Sequence, residues 1–281
     1  MTARGSRRFG SCVSVGLLCA VAAGCSDESP SAASGNAATS TQPTSGGAGL
    51  HLVSLGDSQA TASGDEEGTG WVQRYADLVT EETGDEVIVS ARAGNGLTSA
   101  ALLTQVQQDE AVRNEISAAD IVVIGAGGAD LNAGDDAWDA GACDGTACYE
   151  PGLAAAEGNL ADVAAVVAEL RADRPTVLRA VTPPNVLTGA EDVIPSFLAA
   201  AATDVGVFQA RSLRESSCAA VRAHGGECID VLTAFNGSDG TQDAYASGLL
   251  NHDDCCYPSG AGHQLMAEML LETGLEPQVL G

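Results

Sequence analysis

Ser58 lies in Leu55-Gly56-Asp57-Ser58-Gln59, directly after the apolar run His51 to Leu55. If that run is a strand, the turn after it places a hydroxyl and a backbone N–H at the carboxyl edge of a sheet, where a nucleophile for acyl transfer is useful. A Gly-Asp-Ser triplet by itself also suits a helix cap, so the reading depends on what converges on it. A serine hydroxyl needs a partner that takes its proton near neutral pH, and the chain has four histidines. His51 opens the first run, at the end remote from Ser58, and His224 falls in a surface turn. His263 lies inside the last helical segment, where packing is its expected role. His252 is left, two residues before Asp254: a surrogate base if its loop turns toward Ser58, an exposed loop residue otherwise.

Further segments follow later apolar runs in order. Ala93-Gly94-Asn95-Gly96-Leu97 comes after the second, Gly125-Ala126-Gly127-Gly128-Ala129-Asp130-Leu131 after the third, and Asp254-Cys255-Cys256-Tyr257-Pro258 close to the end. Together with Gly56-Asp57-Ser58 these resemble the four blocks of the SGNH or GDSL-type hydrolases, over roughly residues 50 to 275. The resemblance implies that Ser58 is the nucleophile, that the Gly96 N–H helps bind the oxyanion, and that Asp254 stands in the acid position. It implies two departures as well. Ala129 stands where the family has its oxyanion Asn, and Tyr257 where it has the catalytic His.

An oxyanion donor is typically worth about 10²–10³ in rate, and Ala129 offers no side-chain donor. Asn132 is either a substitute that bends back or a plain loop Asn. A phenol, with a reference pKa of about 10, accepts a proton poorly at neutral pH, so Tyr257 is expected to pack, with its hydroxyl capping the loop or hydrogen-bonding Asp254. Two functional classes follow: an extracellular serine ester hydrolase with an atypical base, or a binding protein at the cell envelope that has kept the fold and lost strong catalysis. The substrate expected for the first is a small acyl ester, a lipid or an esterified carbohydrate, and no cofactor is expected.

These residues need a scaffold, and the pattern supplies one. Short apolar runs at 51–55, 86–90, 121–125, 176–181 and 228–231 alternate with helical stretches at 71–82, 99–108, 152–171, 196–223 and 263–271. That alternation predicts an α/β domain with a parallel five-stranded sheet flanked by helices, which the resemblance makes a single three-layer, flavodoxin-like domain. Residues 234–237 are expected to form a loop. Trp71 and the Ala and Leu positions of the helices are expected to be core.

The remaining sequence concerns export. Arg4, Arg7 and Arg8 precede an apolar run from Cys12 to Ala23, the form of a signal peptide and too short to span a bilayer. Ala22-Ala23-Gly24-Cys25 resembles a bacterial lipobox, which implies that residues 1–24 are removed, that Cys25 carries lipid, and that this lipid alone binds the membrane. Residues 25–49 are rich in Ser, Gly, Ala and Thr and read as a flexible tether, spanning roughly 25–30 Å. Residues 50–281 form the folded domain.

Without its first 24 residues the chain keeps nine basic and 38 acidic side chains, a net charge of −29. That excludes nucleic acid as a partner and suits a solvated surface. Cys143, Cys148, Cys218, Cys228, Cys255 and Cys256 remain after the signal and the anchor. An even count in an exported chain predicts three disulfides, with the local pairs 143–148 and 218–228 the first choice among fifteen connectivities. A metal site is the weaker reading, since no His lies at ligand spacing from these cysteines.

Overall fold

The computed structural model describes residues 49–280. The export signal, Cys25 and the tether up to residue 48 lie outside the described residues.

Five parallel strands build the sheet: β1 (Leu50–Gly56), β2 (Val87–Ala93), β3 (Ile121–Gly125), β4 (Pro175–Val181) and β5 (Glu227–Ile229), in the order β2-β1-β3-β4-β5. A two-residue strand, β6 (Gln278–Val279), pairs antiparallel with the first residues of β4. The helices are α1 (Gly70–Thr83), α2 (Ser99–Gln108), α3 (Glu110–Ala118), α4 (Asn132–Asp139), α5 (Glu150–Arg171), α6 (Ser196–Ala199), α7 (Ala202–Arg222), α8 (Val231–Asn236) and α9 (Gly260–Glu272).

The period of two along each strand divides the core. Val53 and Leu55 of β1 with Val122 and Ile124 of β3 face α2, α3, α5 and α7; Leu52, Ile121 and Val123 face α1 and α9. Both faces of β1, β3 and β4 are buried, which is why these strands read as continuous apolar runs rather than alternating ones. Trp71 and Tyr75 of α1 are wholly buried on the second face, as expected for Trp71.

Several boundaries differ from the sequence reading, for local reasons. The run expected at 228–231 ends at Ile229, because Asp230 takes the Thr233 N–H on its side chain and starts α8. Residues 234–236, expected as loop, are therefore helical, and only Gly237 ends that helix. The stretch 196–223 is two helices, broken where Ala201 takes φ −119°. α3 was hidden behind α2; Asp109 separates them, capping α3 through its carboxylate to the Ala111 and Val112 amides.

Three disulfides join Cys143 to Cys148, Cys218 to Cys228, and Cys255 to Cys256. The first two are the expected local pairs, and the second ties α7 to β5.

Candidate active site

A strand order of 2-1-3-4-5 reverses direction between β1 and β3, and a crevice opens there at the carboxyl ends of the strands. A cleft of about 300 Å³ occupies it. Every loop that leaves β1 to β4 reaches it: Ser58 after β1, Gly96 after β2, Gly128 and Ala129 after β3, and Pro183 and Pro184 after β4.

The loops after β1 and β3 run against each other. A Cβ on Gly56 would stand 2.3 Å from the Gly125 carbonyl oxygen, so only glycine fits. Asp57, 1% exposed, then turns its carboxylate inward and accepts the Gln59 N–H at 2.9 Å and the Gly128 N–H at 2.8 Å, with Ala129 N–H at 3.4 Å. Burial pushes this carboxyl above the ordinary range, against the lowering effect of those amides. Asp57 thereby fixes the turn that presents Ser58, which opens a single 3-10 turn and stands half-buried on the cleft wall.

Gly96 lies at φ +73°, a left-handed conformation that glycine adopts without strain. Neither its N–H nor that of Ser58 has a hydrogen-bond partner among the described residues, so both donors are free at the cleft. The loop is held by Asp130. Its carboxylate takes the Ser99 N–H at 2.8 Å and the Ser99 hydroxyl at 2.7 Å, and Asn159 donates to the same hydroxyl at 2.9 Å. Ser99 is wholly buried. Asp57 and Asp130 therefore staple the first three loops together. Both sit within the sequence blocks quoted above, yet the sequence offered no sign that they hold loops rather than substrate.

Ala129 lines the cleft, with its N–H directed to Asp57. Asn132 lines it too, exposed at the start of α4. Tyr257 lines the cleft as well, next to Cys256. Of the two roles open to the Tyr257 hydroxyl, the hydrogen bond to Asp254 is not formed; exposed Asp254 accepts the Gly64 N–H at 3.1 Å.

His252 is exposed and is not among the residues lining the cleft. Its Nε2 lies 3.7 Å from Asp192 Oδ1, and its ring meets Tyr245 edge-on at 5.7 Å. The loop path that would bring it to Ser58 is not taken, because Asn251 anchors the loop to the Gly64 carbonyl at 2.7 Å while its own oxygen holds the Asp253 and Asp254 amides. Farther along, Gln59 donates to the Cys256 carbonyl at 3.2 Å, and the Tyr245 hydroxyl donates to Val186 O and accepts the Cys256 N–H. Burial pushes that phenol up to about 12.

His263 packs, as expected. It is fully buried, accepts the Trp71 N–H at Nδ1 and so carries its proton on Nε2, 3.0 Å from the Ser63 carbonyl. Burial holds this imidazole below its ordinary pKa. His51 is the second residue of β1, at the amino end of the sheet.

The model of the GDSL-like Lipase/Acylhydrolase family matches residues 54–265. Among solved structures, a lipase from a goat rumen metagenome superposes with a TM-score of 0.65 at 19% identity, covering 81% of this chain and 98% of that one. A putative GDSL-like lipase from Parabacteroides merdae ATCC 43184 gives 0.55 at 20% identity, over 81% and 96%. An acetylxylan esterase from Geobacillus stearothermophilus gives 0.53 at 19% identity, over 82% and 95%. At these identities the likeness establishes the fold. No curated protein sequence matches the chain.

Proposed function

The chain belongs to the GDSL-like lipase/acylhydrolase family, and from that premise we propose that it is a serine ester hydrolase in which Ser58 is the nucleophile and the substrate is a small acyl ester, a lipid or an acetylated carbohydrate. The observation that carries this reading is that Ser58 and Gly96 line one cleft, each with a backbone N–H that has no hydrogen-bond partner among the described residues. The Ser58 hydroxyl attacks the ester carbonyl as a solvent water takes its proton, the two N–H groups receive the oxyanion, and collapse of the intermediate expels the alcohol, which takes a proton back from water. Water then releases the acyl group from Ser58.

The acceptor of the Ser58 proton is where this chain departs from its family. In the position that the resemblance gives to the catalytic His stands Tyr257, a phenol at the cleft, and His252 is engaged with Asp192. Oxyanion stabilisation then supplies most of the acceleration and the rate is modest. The same observation favours a second reading, a binding protein that retains the fold, since no histidine lines the cleft among the described residues. Reaction of the purified domain with a fluorophosphonate probe, followed by mapping of the labelled peptide, separates the two. Labelling at Ser58 supports the hydrolase; an unlabelled Ser58 supports the binding protein.

We place the protein outside the cell, held to the membrane by lipid on Cys25. Support comes from the lipobox-like residues 22–25 and from three disulfides, which persist in oxidising compartments.

A further inference from the structure

The cleft carries a carboxylate for which the hydrolytic steps have no task. Asp135 stands one turn into α4 and lines the same cleft as Ser58. It is held from behind. The Tyr149 side chain, 1% exposed, donates its hydroxyl to Asp135 Oδ1 at 2.5 Å. Gly134 gives the ring its space, since a Cβ there would stand 2.5 Å from Tyr149 Cδ1.

Gln209, 9% exposed, lines the same cleft. Asp135 Oδ2 has no hydrogen-bond partner among the described residues. The adjoining wall is apolar, formed by Pro183, Pro184, Val186, Leu187, Leu198 and Leu213.

No arginine lines this cleft among the described residues, and Arg74, Arg92 and Arg214 are paired elsewhere with Asp65, Glu115 and Asp230. A part-buried carboxylate without a counter-charge is costly in an apolar setting. A ligand cation removes that cost by forming a charge-assisted hydrogen bond, and the acidity of the whole chain raises the local concentration of cations.

We propose that Asp135, positioned by Tyr149 and flanked by Gln209, recognises a protonated amino group on the substrate, so that the favoured esters carry a cationic amine in their acyl or alcohol part. This rests on the hydrolase reading for its catalytic consequence, but not for the binding itself. The Asp135→Asn variant keeps the shape and an acceptor for Tyr149 while removing the charge.

Calorimetric titration with hexylammonium chloride and with neutral hexan-1-ol tests the recognition directly. The wild type binds the amine more tightly than the alcohol, and Asp135→Asn weakens the amine by about tenfold or more, in line with a charge-assisted hydrogen bond, while leaving the alcohol unchanged. Tyr149→Phe, which frees Asp135 to move, weakens the amine by a smaller factor. A wild type that binds the amine no better than the alcohol overturns the proposal, and so does an Asp135→Asn variant that retains the preference.

A second measurement separates the two readings. With 6-aminohexyl butyrate and its neutral counterpart heptyl butyrate, a preference in kcat/KM that Asp135→Asn abolishes supports both readings. Equal rates on the two esters sink the recognition and leave the hydrolase intact. Selective amine binding with no hydrolysis of either ester sinks the hydrolase and leaves the recognition intact.

Discussion

Ser58 and Tyr257 share a cleft, and the consequences of that pairing are measurable on a simple aryl ester. Ser58→Ala removes hydrolysis. Tyr257→His raises kcat by about 10² or more, the lower range for a general base, because it sets an imidazole three residues after Asp254 at a wall that Tyr257 already occupies. His252→Ala leaves kcat unchanged, since its ring is engaged with Asp192 and Tyr245; a loss of tenfold or more would mean that the loop swings in solution. His263 gives a different test. Its folded pKa is depressed by burial, so the unfolded chain takes up a proton first as pH falls. Its contribution to stability is complete above about pH 6.5, the ordinary value for His, and declines below it by up to about 1.4 kcal/mol per pH unit until the folded pKa is reached. His263→Asn removes that slope from a series of thermal melts between pH 7 and pH 4, although it also lowers the melting temperature throughout. Of these residues, Ser58 and Gly96 were legible because a motif places them straight after a strand. Asp135 and Gln209 were not, because their role arises from a wall built by helices 70 residues apart in sequence, and neither carries a local signature.

The staples between loops belong to the scale of elements. Asp130→Ala leaves the buried Ser99 hydroxyl and N–H without their acceptor, which costs about 1–3 kcal/mol and loosens the approach of Gly96 to Ser58. Chemical denaturation reads the first effect. The second appears as a fall in kcat with little change in KM; an unchanged kcat would show that Gly96 is fixed by other contacts. Five apolar runs gave five strands, most plainly in β1, β3 and β4, which are buried on both faces. Helix ends were less so. α4 begins directly at the end of a loop block, and no apolar stripe announces it: of its eight residues only Gly134 is buried. β6 has two residues and is defined by what it pairs with, which no local pattern encodes.

At the scale of the molecule, the layered fold followed from alternating apolar runs and amphipathic segments, and the chirality of the crossovers left few arrangements for them. The anchor belongs to this scale too. Cys25→Ala is expected to release the protein from membranes into the medium, as fractionation and N-terminal sequencing would show; a wild type that is already wholly soluble with a different N-terminus removes the lipid from the proposal. Topology also fixes where the described chain enters and leaves. Leu50 opens β1 at the amino edge of the sheet, and Gln278 of β6 pairs with Thr176 at the amino end of β4. β1 and β4 are separated by β3 alone and β6 lies beside β4, so the two ends emerge at one pole, about 15 Å apart in strand spacings, and the cleft opens at the other. The domain is thus suited to circular permutation. A short Gly-Ser bridge from the end of β6 to Leu50, with new ends opened between Gly141 and Gly145, should fold and leave the reactivity of Ser58 unaltered.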